Sequence, residues 1–279
     1  MASPRSIELP GGIRVDVVFE DRSVLILDKP AGWLVAPEDW DRTARNLARV
    51  LAAGIHAGEW WARSRNLRSL RFVHRLDAET SGLLMAVKNE GAVAAYSRLF
   101  AGRAIEKRYL AVVNGNPPAG DWRRQDPLGP EPGRPERHRV DRRAGRPAST
   151  DFRVLARREG TALVEARPHT GRTHQIRLHL QASGCAVVGD TLYGHPDPRG
   201  LALRAVGLKY ADPFRRQPVR VIAPMEDFCR RYGFHPAEAS EPAAAGRFTD
   251  GVPRRETIRP PSARSGPPAP SAGGTGQPP

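Results

Sequence analysis

Three stretches of the chain set charged and hydroxyl-bearing side chains between apolar runs. The first is Phe72-Val73-His74-Arg75-Leu76-Asp77-Ala78-Glu79-Thr80-Ser81-Gly82. A carboxylate at a strand end, beside a histidine and an arginine, is well placed to be ionised and accessible, which makes Asp77 a candidate reactive group. Taken alone, the tetrapeptide His74–Asp77 is better read as a surface ion pair with a Ser/Thr turn. The second stretch is Glu106-Lys107-Arg108-Tyr109-Leu110-Ala111-Val112-Val113. A tyrosine at the start of a buried strand can stack on a base and offer a hydroxyl to a proton transfer. Without support from other segments, the reading as an ordinary half-buried strand aromatic is the better one. The third runs from Arg167 through Thr170-Gly171-Arg172-Thr173-His174-Gln175-Ile176-Arg177 to Gly189-Asp190-Thr191-Leu192-Tyr193-Gly194. Its turn precedes a helix whose first residues are basic or amide-bearing, and such an N-terminus welcomes a phosphate or a carboxylate. His169, His174 and His179 are spaced by five, which does not stack ligands on one helical face, and no carboxylate cluster completes a metal shell.

The elements that must hold these residues follow from the apolar patterning. VDVVFED (15–21) and SVLILDK (23–29) read as two strands joined at Asp21-Arg22. A helical pattern surrounds Ala44–Ala53, and LRFVHRL (70–76) and SGLLMAVK (81–88) read as strands flanking the Asp77 loop. Asn89 caps a helix over Glu90–Ala101, with Val93, Tyr96 and Phe100 on one face. KRYLAVVNG (107–115) is a further strand. The Pro/Gly/Arg-rich stretch 116–147 reads as a long surface excursion. STDFRVLARREGTALVEARP (149–168) has a hairpin signature with its turn at Glu159-Gly160. Thr173–Ser183 reads as a helix with Thr173 as N-cap and Gly184 ending it. Strands are expected near Ala186–Gly189, Ala202–Lys209 and Val219–Ile222. The order predicts an α/β fold of the α+β type, a mixed and largely antiparallel sheet flanked by helices. Residues 1–12 read as an N-terminal extension, 13–235 as one catalytic domain, and 236–279, dominated by Pro, Ala, Gly and Ser, as a disordered tail.

Lysine and arginine number 44 against 30 acidic residues, for a net charge of +14, and all but four of the cations are arginine. The tail carries five arginines against four acids, so the domain keeps +13. Guanidinium groups bind phosphate bidentately and stack on bases, which suits RNA. A GC-rich genome would also favour arginine and proline, so the charge gains meaning only beside the motifs. Cys185 and Cys229 lie far apart without CxxC spacing and read as buried free thiols. No signal pattern opens the chain and no apolar run is long enough to span a bilayer, so the expected address is cytoplasmic.

Taken together, the segments resemble the RluA-type family of RNA pseudouridine synthases. HRLDAETSGLLMAVKN (74–89) resembles the family's catalytic motif, KRYLAVVNG (107–115) the motif of the active-site tyrosine, and HTGRTHQIRLHLQASGCAVVGDTLYG (169–194) the third motif. ILDKPAGWLV (26–35), LALRA (201–205) and VIAPMEDF (221–228) match as well, in the family's order, from about Val15 to Phe228. The resemblance implies a pseudouridine synthase catalytic fold. It also implies isomerisation of uridine in rRNA or tRNA, with Asp77, Tyr109 and Arg177 as catalytic residues and Arg177 paired with Asp77. His74, Arg75, Thr80, Lys107, Arg172, His174 and Gln175 are then the candidate RNA contacts. No cofactor or metal is implied, the expected partner is RNA, and a monomer is the expected state. About a dozen residues precede the first strand, too few for the S4 domain of many family members. The stretch 36–70 is unusual, its Trp60, Trp61, Arg63, Arg65, Arg68 and Arg71 suiting either an RNA surface or a tryptophan-packed helix. A non-catalytic RNA-binding protein on the same fold would have lost Asp77, Tyr109 or Arg177. A histidine-based hydrolase would need an acid/base or metal constellation that the histidine spacing does not supply.

Overall fold

Val24, Leu25, Ile26 and Leu27 follow one another without a polar residue, and all four are fully buried. A strand apolar on both faces belongs in the middle of a sheet covered from both sides. The computed structural model, which describes residues 5–9, 11–35 and 45–240, has that arrangement. In chain order the first elements are β1 (Ser6–Leu9), β2 (Ile13–Glu20), β3 (Val24–Lys29), α1 (Leu47–His56) and α2 (Trp60–Arg63). There follow β4 (Arg71–Phe72), β5 (Ser81–Val87), α3 (Glu90–Ala101) and β6 (Glu106–Asn114). Then come β7 (Asp121–Arg124), β8 (Leu128–Glu131), β9 (Arg134–Val140), β10 (Thr150–Arg158) and β11 (Thr161–Pro168). The last are α4 (Gln175–Ala182), β12 (Leu203–Ala211), β13 (Pro218–Ile222) and α5 (Glu226–Arg231).

One large sheet runs β1-β2-β3-β5-β12-β6-β11-β10-β7, with β4 beside β5 and β13 beside β12. The pairs are antiparallel except β5–β12, which is parallel and short, matching Ser81 to Arg204 and Gly82 to Ala205. Two antiparallel half-sheets therefore meet at a seam. Gly82 makes that seam possible. Its φ of +108° suits glycine, and a methyl group there would run into the Ala205 carbonyl oxygen. On the first half-sheet, Leu25, Leu27 and Leu84 pack under Trp33, Leu47, Leu51 and Trp61, while Val24, Ile26 and Met85 pack under Tyr96 of α3. The second half buries Val112, Leu163 and Val164 against Ile176 and Leu180 of α4. The mixed, largely antiparallel architecture is the one the sequence predicts.

Several local expectations change. LRFVHRL is not a continuous strand: pairing stops after Phe72, where the His74 side chain takes the ladder's place, its Nε2 accepting the Met85 N–H at 2.8 Å. The 116–147 excursion contains β7 and a separate β8–β9 hairpin, built where few apolar residues announce it. Ala186–Gly189 forms an isolated bridge, Val187 to Val113, not a strand. Helix α4 starts at Gln175 after His174, which is left-handed at φ 55°, so Thr173 is not its cap. Ser6–Leu9 of the expected N-terminal extension is paired into the sheet as β1. At the other end, Pro236–Ala239 forms a capped 3-10 turn with Ala239 fully buried, so packed structure runs past residue 235. The rest of the expected tail, from residue 241, and Trp40 in the unusual 36–70 stretch lie outside the described residues. Trp61 is buried and Arg65 pairs with Glu20, so this part of the stretch follows the packed reading. Trp60 is exposed. Both cysteines are free and buried, as read.

Candidate active site

Asp77 leaves the sheet on the loop between β4 and β5, and that loop is fixed on both sides. Leu76 is buried in the core under α1. The Ala78 carbonyl accepts from the Lys29 ammonium at 2.8 Å and from the Gly32 N–H at 2.8 Å. Lys29 is fully buried and also donates to the Pro30 carbonyl at 2.9 Å. Burial pulls its pKa down to about 8, against the opposing pull of Glu79 and Asp77. An ammonium held among carbonyls in this way acts as a rigid pin beneath the loop.

Tyr109 stands on β6 between Ala205 of β12 and Ala166 of β11, two small neighbours that leave room for its ring. Burial, with the Asp77 carboxylate nearby, raises its pKa well above the ordinary phenol value. The ring therefore enters any reaction protonated.

Arg177 reaches the same place from α4. The loop before that helix is stitched down by Gln175. Its Oε1 accepts from the Thr170 hydroxyl at 2.6 Å and the Arg172 N–H at 3.0 Å, and its Nε2 donates to the Ser149 carbonyl and Thr150 Oγ1. Arg177 Nη1 lies 4.0 Å from Asp77 Oδ2. Its stronger partner is Asp190, which is fully buried and accepts Nε at 2.7 Å and Nη2 at 2.5 Å in a two-point fork. Burial opposes the Arg177 charge, but the hydrogen bonds and carboxylate of Asp190, with Asp77 adding to them, hold its pKa above the usual value. Asp190 also accepts the Leu192 and Tyr193 N–H groups at 3.0 Å each, and despite burial its pKa is lowered. Arg177 is thus a fixed cation, anchored at one end and presented to Asp77 at the other. Asp190 was missed in the sequence, although it lies in the third motif; a buried acid thirteen residues from an arginine has no local signal. Tyr193, two residues after Thr191, is missed likewise. Its ring lies 5.2 Å from the Arg177 guanidinium carbon, and its hydroxyl meets His174 Nδ1 and the His138 N–H, each at 2.8 Å.

Asp77, Tyr109, Arg177 and all seven candidate RNA contacts line a single cavity of about 550 Å³. They do not all face it with free groups. His74 spends Nε2 on Met85, stacks on Phe100 at 4.4 Å, and is pulled down to about 3 by burial and the Lys107 charge. It is a neutral wall. Gln175 has each of its amide atoms used internally, and His174 is tied to Tyr193, its pKa lowered chiefly by burial. Thr80, by contrast, is buried with an Oγ1 that has no partner among the described residues. Lys107 donates to the Thr170 carbonyl at 2.9 Å, and Arg172 Nε to the Pro147 carbonyl at 3.1 Å. Arg75 is exposed at the rim. Arg103 and Arg146, which the sequence did not single out, line the cavity as well.

A two-part sheet with a carboxylate loop at its seam is a known class of fold. The structure is similar to that of human RNA pseudouridylate synthase domain containing 1, with a TM-score of 0.59 and 26% identity over 75% of this chain and 83% of that one. It shares its fold with human RNA pseudouridylate synthase domain containing 4, at a TM-score of 0.61 and 20% identity over 77% of this chain and 90% of that one. The family model described as RNA pseudouridylate synthase matches residues 23–182. A Bacillus subtilis relative, the uncharacterized RNA pseudouridine synthase YhcT, is 32% identical over 82% of this chain and 76% of its own. The ribosomal large subunit pseudouridine synthase D of Zymomonas mobilis is 33% identical over 66% of this chain, which spans 57% of that relative's length. The chain belongs to the RNA pseudouridylate synthase family, and its relatives bear out the resemblance to the RluA type.

Proposed function

We propose that this protein is an isomerase that converts uridine in RNA to pseudouridine, with ribosomal RNA the substrate its relatives' names favour and transfer RNA the alternative. The observation that carries the reading is convergence. Asp77, Tyr109 and Arg177 come from three distant segments and face one cavity, with an ion-pair contact between the first and last. The reaction breaks the bond from uracil N1 to C1′, turns the base, and forms a bond from C5 to C1′. N1 gains a proton and C5 loses one, so no oxidant, reductant or nucleotide cofactor is required. Asp77 serves as nucleophile or as the stabiliser of developing positive charge at the sugar, and Arg177, anchored on Asp190, keeps that carboxylate oriented and countered.

The uridine has to leave its stack to reach Asp77, at a cost of a few kcal/mol. Tyr109 offsets part of that cost by stacking under the flipped base. Because its phenol is held protonated, it works as a platform and hydrogen-bond donor ahead of any role in taking the C5 proton. Arg75, exposed beside Asp77, fills the space the base vacates or grips phosphate. The protein acts as a monomer on RNA in the cytoplasm; among the described residues no helix is long and apolar enough to cross a membrane.

The test is direct. Chelator-treated protein incubated with ribosomal RNA and, separately, transfer RNA is assayed for pseudouridine by chemical modification and sequencing. Product is expected from wild type and absent from Asp77→Asn, which still binds RNA. Equal product from Asp77→Asn would overturn the role of the aspartate.

A further inference from the structure

Many arginines on this protein's surface sit against carboxylates, such as Arg123 on Asp151 and Arg153 on Asp121, and a group of cations at the cavity does not. Arg103, Arg146, Arg172 and Lys107 all line the cavity, and among the described residues none of them pairs with an acid. They arrive from separate parts of the fold. Arg103 follows α3 in a left-handed conformation at φ 57°. Arg146 closes the base of the β8–β9 hairpin, bonded both ways to the Leu128 backbone at 2.8 and 3.0 Å. Arg172 sits in the loop before α4, and its bond to Pro147 ties it to the Arg146 segment. Lys107 is the second residue of β6, its ammonium beside Gly171 and bonded to the Thr170 carbonyl.

We infer that Arg103, Arg146, Arg172 and Lys107 form a phosphodiester-binding subsite that grips the RNA backbone next to the nucleotide in the cavity. This rests on the proposed function. The group has the marks of a site waiting for an anion. Burial, then the charges of Arg146 and Arg103, lower the pKa of Arg172; burial, then Arg103, pulls Lys107 down to about 8. Mutual repulsion of this kind is relieved when a phosphate enters between the cations. Guanidinium forks match phosphate oxygens in pairs, and the backbone bonds that hold Arg146 and Arg172 in place reduce the ordering needed on binding. A grip on phosphate positions the strand and leaves sequence choice to other contacts.

The experiment compares two triple variants of equal net charge. One is Arg103→Gln/Arg146→Gln/Arg172→Gln; the other, at carboxylate-paired positions away from the cavity, is Arg123→Gln/Arg153→Gln/Arg158→Gln. Affinity for a short single-stranded RNA containing uridine is measured across salt concentrations by fluorescence anisotropy. Each phosphate contact on a single strand contributes about 0.7 to the salt slope, so the cavity variant is expected to lose about 2 from it and the control to lose none. A neutral methylphosphonate linkage beside the uridine is expected to weaken binding to wild type and to leave the cavity variant unaffected. Equal slope losses in both variants, or equal sensitivity to the neutral linkage, would overturn the subsite. Failure of the proposed function shows separately, as wild type that binds with the predicted slope difference yet forms no pseudouridine. Pseudouridine formed with no slope difference would remove the subsite alone.

Discussion

The outer face of the second half-sheet and the cavity are both rich in arginine, and they use it in opposite ways. On β7 and β10, Arg123 forks onto Asp151 and Arg153 onto Asp121, while Arg124 pairs with Asp126 and Arg158 with Glu238. Charge there is matched locally and spends itself on the fold. At the cavity, Arg75, Arg103, Arg146 and Arg172 face no carboxylate partner among the described residues. Arg177, the one cavity arginine with a strong partner, is locked to a fully buried acid. The two regions therefore differ in how the charge is used: matched by acids on β7 and β10, and left open at the cavity, where a polyanion would enter.

Substitutions separate the two regions. Asp77→Asn is expected to reduce turnover by on the order of 10^4-fold, the scale for loss of an essential catalytic group, with little change in the melting temperature. Asp190→Ala strands the buried Arg177 guanidinium. It should cost about 3–5 kcal/mol of stability as well as activity, read by chemical denaturation alongside turnover. Arg153→Gln breaks a partly exposed surface pair and should change stability by less than about 1 kcal/mol and activity not at all. If Arg153→Gln proved as damaging as Asp190→Ala, the contrast between the regions would be wrong.

A smaller effect follows from pH. Lys29 and Lys107 both lie near 8 in the fold and near 10.5 in the unfolded chain, chiefly because burial disfavours their charge. Between about pH 8 and 10 the unfolded state holds more protons, so stability should rise with pH over that window. RNA affinity should fall over the same window, as Lys107 loses its charge. Above pH 10 the sign of the stability change reverses, because burial keeps Tyr96, Tyr109 and Tyr210 protonated in the fold after the unfolded chain has released those protons. Denaturant titrations at pH 8 and pH 9.5, repeated on Lys107→Met, would show the stability rise shrinking in the variant.

The sheet was largely legible because its strands carry the apolar runs that burial requires. VLIL in β3 and LLMAV in β5 could hardly be placed elsewhere. The β8–β9 hairpin was not legible: RPERHRV has no apolar alternation, and its anchors beyond Leu128 and Val140 are polar, such as the Tyr193 hydroxyl on the His138 N–H, which no sequence pattern announces. LRFVHRL misled for the opposite reason. Its pattern is that of a strand, but a side chain at His74 supplies the acceptor that a continuing backbone would have supplied. Asp77, Tyr109 and Arg177 were legible as a set through their motifs, whereas Asp190, Arg103 and Arg146 were not. An arginine in sequence is the same whether its partner is an acid across the fold or nothing, and only the tertiary arrangement tells them apart.

Gly82 touches none of the chemistry and sits five residues from Asp77. Yet the two halves of the molecule share backbone hydrogen bonds there only because one residue has no side chain. In a saturation scan scored on activity, this position should accept a single letter of the alphabet and so be indistinguishable from a catalytic one. Scored on folding, Asp77 and Gly82 should part company, the aspartate tolerant and the glycine intolerant. The chain has placed its reactive loop beside a joint that a single added side chain would break, so the inheritance of activity and the inheritance of shape are written a few codons apart.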